Sequence, residues 1–322
     1  MIRTHCFLAA ILMCAGQSAG IYAQTFPSRP VAIVVPYISG GAGDMVARAL
    51  AAKMSESFGR NVYIENRPGG ATRIGTEAVA KAAPNGHTLL MATNASTINV
   101  SLHPNLPYDL MRDFAPLVLI DISPNVLIVH PALQARSVKE LIALAKARPG
   151  QLNFASSGIA GSVHFAGELF KYTAGIDIVH VPYKGFSQAL TDLLSGQVVM
   201  SFSTMQSAMP YRRAGRLRAL AVTSASRSAR APELPTMAEA ALPGYEMVTW
   251  HALLAPAATP QDVVARLCAE LLRILKLPDV RDNFEKLDVE IVGGSPAELG
   301  AHMKTEIERY ANLIRVAGIR AE

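Results

Sequence analysis

The sequence predicts an α/β protein of two domains, each a mostly parallel sheet flanked by helices. Three observations predict it. Strand-like and helix-like stretches alternate through most of the chain, the pattern of repeated βα units. The 322 residues suffice for two domains, and at 50% hydrophobic and 17% charged the chain is too apolar for disorder. No Gly/Ser-rich linker or low-complexity run divides it, so the domains are expected to be joined by strands.

The elements follow in order. Residues 31–37 form a continuous apolar run, as in a strand covered on both faces. Residues 44–58 have helical periodicity and stop at Gly59, a C-cap. Strand (62–65), helix (72–82), a Pro84-Asn85-Gly86 turn and strand (87–92) come next. After a strand at 126–129, Ser137 to Glu140 forms a capping box for a helix to about residue 147. Strands at 152–155, 176–181 and 198–202 then alternate with helices at 162–174 and 187–195. Thr259-Pro260-Gln261-Asp262 caps a long helix with Pro at its first position, and Ser295-Pro296-Ala297-Glu298 caps the last. Crossings between domains are expected near 118–122 and 220–224. That gives one domain of 24–121 with 224–322 and another of 122–223.

The start reads as an export signal, residues 1–23. Arg3 precedes the apolar run Cys6 to Ala15, and cleavage is expected after Ala23. The run is far shorter than the ~20 residues of a membrane span. Met13 is too large to precede a lipidated Cys14. Losing Arg3 lowers the formal charge from +5 to +4, with no Lys/Arg block and no nucleic-acid footprint. Cys268 then stands alone, so no intrachain disulfide is expected.

Two strand-to-helix loops draw attention. The first is Tyr37-Ile38-Ser39-Gly40-Gly41-Ala42-Gly43-Asp44. A helix start offers unsatisfied N–H groups and a positive dipole end to an anion, and glycine lets the anion approach. The loop matches neither nucleotide pattern and lacks the phosphate-gripping Lys; Asp44 reads as a first-turn carboxylate that favours the dipole. The second loop, 153–162, repeats the grammar with Ser156, Ser157, Gly158, Gly161 and Ser162. One such helix start per domain would make a clamp for a small anion.

Other chemistries find less support. Ser156, Ser157 or Ser162 with His164 or His180 would suggest a hydrolase, but no G-x-S-x-G elbow exists and no acid is marked as orienter. His180 shares strand parity with Ile176 and Ile178 and reads as a packed histidine. Metal-ligand spacings are absent, Cys268 lies on an apolar stripe, and no cofactor is expected. Asn94-Ala95-Ser96 reads as a polar loop after a strand.

Ordered motifs run through the mature chain: PSRPVAIVVPYISGGAGD (27–44), VYIENRPGG (62–70), PNGHTLLMAT (84–93), YDLMRDFAP (108–116), SVKELIALAKARPGQLNFASSG (137–158), HFAGELF (164–170), HVPYKG (180–185) and LPTMAEA (234–240), then the Trp250 strand. In these the chain resembles the solute-binding proteins of tripartite tricarboxylate transporters, the Bug/TctC family. The resemblance implies a type II periplasmic binding protein, a Venus flytrap closing on a ligand carboxylate held by backbone N–H groups, hydroxyls and water. It further implies a monomeric periplasmic receptor serving membrane permease subunits, with a membrane sensor kinase as the other partner reading. Carried over, the binding residues are Tyr37, Ile38, Ser39, Gly40, Gly41, Asp44, Ser156, Ser157, Gly158, Gly161, Ser162 and His164. Thr93, Asn94, Tyr183 and Gly185 line the rest, with Ser203 and Thr204 as weaker candidates. Four departures set the site apart from many relatives. Ala42-Gly43 stands where Pro-Thr or Ser-Thr is frequent, Arg73 where a small residue is, His251 where an aromatic is, and Ile159-Ala160 where small polar residues are.

Overall fold

The computed structural model describes residues 26–320. The expected export signal, with Cys6 and Cys14, lies outside the described residues. The chain begins as β1 (Val31–Val35), α1 (Ala42–Phe58), β2 (Val62–Asn66), α2 (Arg73–Ala80), β3 (Thr88–Thr93) and α3 (Asn94–Leu102). β1 lies between β2 and β3, parallel to both. It ends at Val35 and not at residue 37, because Pro36 brings no N–H to a ladder.

β4 (Phe114–Val129) is one unbroken strand of 16 residues, where the sequence had suggested a strand over its last four and a crossing near 118–122. Its first part, to Pro124, pairs antiparallel with β9 (Val248–Pro256), and residues 119–122 also pair with β10 (Glu290–Gly293). From Asn125 onward it lies between β7 (Met200–Thr204) and β8 (Arg218–Val222). The second half is built from α4 (Val138–Ala147), β5 (Asn153–Ser156), α5 (Ser162–Ala174), β6 (Val179–Pro182), α6 (Phe186–Ser195) and α7 (Met205–Arg213). β5 is parallel to both β6 and β7. The main strand order is β2-β1-β3-β9-β4-β7-β5-β6.

After Thr223 the chain makes an excursion carrying α8 (Met237–Ala240). Its Met237, Leu242 and Tyr245 pack with Phe154 and Phe165 of the second half, and the Tyr245 hydroxyl donates to the Ala166 carbonyl. Re-entry into the first sheet therefore comes at Val248, later than the expected 220–224. Then follow α9 (Gln261–Ile274), α10 (Pro278–Lys286), β10 and α11 (Pro296–Ala317). Thr259 does not cap α9. Pro260 takes the cap position, and the Thr259 hydroxyl donates back to the Pro256 carbonyl. Ser295 and Glu298 do form the expected capping box of α11.

Each half is a covered sheet. In the first, Val31, Ile33 and Val35 face α1 and α9, while Val34, Leu90 and Trp250 face the other way, toward Leu299 and Met303 of α11. In the second, Leu127, Phe154 and Phe202 pack on α5, and Val126, Ile128 and Ala155 pack toward α6 and α7. α11 serves both halves, since its Tyr310 and Leu313 join the second core, with Tyr310 edge-on to Phe165 at 5.5 Å.

Gly167 tests that packing. A methyl there would overlap the buried Phe154 ring, which is stacked on His180 at 4.8 Å and has nowhere to go. Gly167→Ala gains about 1 kcal/mol of helix propensity, but overpacking costs about 1–3 kcal/mol or more. The overlap is deep, so a net loss of about 2 kcal/mol is expected, read as a lower urea midpoint. An unchanged or higher midpoint would contradict the packing.

Candidate functional site

The first loop joins β1 to α1. Gly41 is the N-cap of α1, with extended backbone and no side-chain cap, so the first-turn N–H groups are left for another acceptor. Ser39, Gly40 and Gly41 are exposed, and a Cβ on either glycine would meet open space. The shape of the loop is held from below by Asp44. Its carboxylate accepts from the Gly40 N–H (3.0 Å), Arg48 Nε (2.8 Å) and Asn66 Nδ2 (2.9 Å). Burial pushes this carboxyl up, but the bonds from Arg48, Gly40 and Asn66 outweigh it and hold it below the usual range. Asp44 is thus a brace that also removes the Gly40 N–H from the set offered to an anion.

The second loop repeats the arrangement. Gly161 is the N-cap of α5, again with extended backbone and no side-chain cap, and Ser162 is the first helical residue. Behind it stands a buried stack. His180 lies 4.1 Å from His164 and 4.8 Å from Phe154, centroid to centroid. The Ser156 hydroxyl sits 2.6 Å from His180 Nε2 and 2.8 Å from the Gly158 carbonyl. His164 Nδ1 accepts from the Ala160 N–H. Ala160 itself sits at φ 63°, strained for a residue with a side chain.

β9 sets the spacing of the two loops. Thr249 Oγ1 lies 2.7 Å from Ser162 Oγ, at the start of α5. Two residues on, the His251 ring lies against Gly43, in the first turn of α1. Residues i and i+2 of a strand share a face, about 7 Å apart. The two helix starts therefore lie on either side of a short polar floor. Cross-strand partners extend that floor: Asp121 pairs with His251, Ser123 with Thr249 and Asn125 with Thr204. Asp121 and Asn125 are fully buried and Ser123 nearly so. The rims meet as well, because a Cβ at Gly185 would lie 3.7 Å from Ile38 Cδ1 and Gln206 Nε2 reaches Met45 Sδ at 3.9 Å.

The residues named from the sequence divide into three groups. Ile38, Ser39, Gly40, Gly41, Ser157, Gly158, Gly161 and Gly185 sit along the two rims. Tyr37 Oη and Ser203 Oγ are buried with no hydrogen-bond partner, as is Asn125 Nδ2. The others have their polar atoms engaged inside the protein. Thr93 is the capping-box residue of α3, and Thr204 caps α7. Asn94 starts α3 instead of lying in a loop, and its amide joins Val248, Trp250 and Tyr310. The Tyr183 hydroxyl donates to Asp192, and Arg73 is spent on the Gly70 carbonyl and on His103. Asp121, Ser123, Asn125 and Thr249 were missed. Their signal is polar residues at every second position of β4 in an otherwise apolar run, answered by Thr249 and His251 around Trp250.

A serine–histidine pair exists in Ser156 and His180, but Ser156 is fully buried and its hydroxyl is shared with Gly158. The Glu168 carboxylate lies 3.9 Å from His164 Nε2, too far for a hydrogen bond. Among the described residues no cluster of three His, Cys, Asp or Glu could hold a metal. No helix among them is long and apolar enough to cross a membrane. A surface depression of about 460 Å³ lies at Phe58, Arg60 and Arg266, past the C-terminal end of α1. That is about 25 Å from the first loop along α1, and Arg60, Arg266 and Ser28 line it together with Phe26 and Phe58.

Two sheets joined by crossing strands, with helix starts opposed over the junction, define a periplasmic-binding-protein fold of the Venus-flytrap kind. Solved structures agree. R. palustris Rpa4515, solved with adipate, matches at a TM-score of 0.85 and 36% identity, covering 92% of this chain and 99% of that one. MatC from Rhodopseudomonas palustris, with bound malate, matches at 0.82 and 31%, covering 90% and 100%. BugT of Bordetella pertussis is 34% identical over 322 residues, 99% of each chain. The model of the tripartite tricarboxylate transporter family receptor, TctC, matches residues 46–319, and the chain belongs to that family.

The stacked histidines give the second loop an acid limit. Burial, then the charges of His180 and Lys171, pulls His164 down to about 3; burial, then Lys171, pulls His180 down to about 4. Both lie below the unfolded value of about 6.5, so the unfolded chain takes up these protons first as pH falls. The stability they contribute is whole above about pH 6.5 and is lost from there down to about pH 4 for His180 and about pH 3 for His164. At pH 5 the expected loss is on the order of 2 kcal/mol for His164 and less for the partly exposed His180, whose charge water screens, read from urea midpoints across pH. His180→Asn should flatten this limb, and a limb of unchanged steepness would remove the stack as its cause.

Proposed function

We propose that this chain is an exported receptor that captures a small carboxylate between its two jaws and delivers it to membrane permease subunits of a tripartite tricarboxylate-type transporter. It works in the periplasm as a monomer, after cleavage near Ala23, and binds without turnover. One observation carries the reading: α1 and α5 both start at glycine caps with no side-chain cap, and Thr249 and His251 of one strand touch these two starts. Family membership and the adipate- and malate-bound relatives support the ligand class.

Magnitudes constrain the ligand. Hydrogen bonds to a charged group contribute roughly 1.5–3 kcal/mol each, and a helix end up to ~2 kcal/mol. Micromolar affinity needs about 8 kcal/mol net after immobilisation and closure are offset. Four or five neutral donors reach that only if the rest of the ligand also packs, against Tyr37, Ile38 or Ile159.

The test is a thermal-shift and calorimetric panel of mono-, di- and hydroxycarboxylates. A true ligand at about 100 times its Kd should stabilise the protein by about 2.7 kcal/mol. If no carboxylate shifts the melting temperature or gives a binding isotherm, the receptor reading fails. Turnover of esters or amides that Ser156→Ala abolishes would replace it with the hydrolase reading.

A further inference from the structure

His251 stands out on the floor. Its neighbours on β9, Trp250 and Ala252, point into the core shared with α11, so His251 points the other way, toward α1. Nδ1 lies 2.9 and 3.2 Å from the two oxygens of Asp121, which is fully buried. A carboxylate only accepts, so Nδ1 donates to it, and in the tautomer with a single ring proton Nε2 is an acceptor. Among the described residues Nε2 has no hydrogen-bond donor.

The surroundings of Nε2 are specific. A Cβ on Gly43 would lie 2.9 Å from Nε2, 3.0 Å from Cδ2 and 3.7 Å from Tyr37 Cε2. Gly43 has ordinary helical backbone, so its lack of a side chain is not needed for the turn. What it provides is room for the ring. Tyr37 borders the same space, and its hydroxyl is buried and unpartnered. Two unpartnered polar atoms, one an acceptor and one an O–H group, thus flank the uncapped start of α1.

We infer that His251 Nε2, oriented by Asp121 and given room by Gly43, accepts a hydrogen bond from a ligand hydroxyl, so that the receptor selects hydroxycarboxylates over their deoxy counterparts. This rests on the carboxylate-receptor reading. The jaws take the carboxylate; the floor reads the hydroxyl. A deoxy analogue would cover Nε2 without supplying a donor, and a site built to bond a hydroxyl discriminates on that ground.

The experiment measures affinity for matched pairs, each a hydroxycarboxylate and its deoxy counterpart, by calorimetry on the full mature chain. Wild type should favour the hydroxy member by about tenfold or more. Gly43→Ala puts a methyl into the space of the ring edge and should bring the ratio close to one. His251→Phe alone would strand the buried Asp121 carboxylate, so the second variant is Asp121→Asn with His251→Phe, and its ratio should also fall close to one. A ratio close to one in wild type, or a preference that survives in both variants, overturns the inference while leaving a carboxylate receptor intact. If wild type binds no carboxylate of either kind, the receptor reading falls, and this inference with it.

Discussion

The working end of the molecule depends on the antiparallel pairing of β4 with β9. β4 carries the chain from one sheet into the other without a break, and β9 matches it from Phe114 to Pro124. Because a strand alternates faces, that pairing decides which side chains look at α1 and α5 and which look into the cores. Trp250, Ala252 and Leu254 go into the core; Thr249 and His251 go to the helix starts. A slip of one residue would exchange the two sets, burying a threonine and a histidine and exposing a tryptophan. The large apolar set fixes the register, and the polar floor is placed as a consequence.

Burying so many polar groups at the crossing has a cost, which close hydrogen bonding offsets. The Thr223 hydroxyl accepts from the Asn125 N–H and lies within bonding reach of the Asn125 and Met247 carbonyls, which ties the outgoing and returning strands together. Asp121 is matched by His251, and Asn94 by Val248, Trp250 and Tyr310. The same network limits how the jaws can move. Rotation about β4 and β9 must also shear α11, whose Met303 stays with the first core while Tyr310 sits on Phe165 of the second.

Much of this was legible in the sequence, and the reasons differ by element. The helices at 138–147 and 162–174 were legible in full, because a Ser cap opens one and a Gly C-cap closes the other. Both glycine-rich loops were legible because glycine and a strand-to-helix switch are local signals. The long β4 was not, since Pro116 and Pro124 break the apolar pattern that marks a strand, yet both are accommodated within it. The roles within the site were also hidden. Asp44, Asn94 and His164 have the chemistry of ligand residues, but a sequence does not show that their acceptors and donors are already taken by Arg48, Val248 and Ala160. Two departures noted separately, glycine at 43 and histidine at 251, turn out to be one feature, because they touch across 208 residues of chain.

That contact separates two tasks that binding requires. Backbone N–H groups at a helix start hold any carboxylate about equally, because they meet only its charge and its two oxygens. Discrimination needs groups that are costly to leave unpaired, and costly groups must be buried and rigid. The exposed rims cannot supply them: Ile38 is 60% exposed, and a Cβ on Gly40 or Gly41 would meet only open space. The floor can, since Asp121 fixes the ring of His251 and the sheet fixes Asp121. An acceptor held this rigidly gains little from a ligand that merely fits, and loses much from one that fits without a donor. In the proposed receptor, affinity is set at the two helix starts and identity at the crossing of the strands, so changes at the floor should alter which ligand is preferred more than how tightly carboxylates are held as a class.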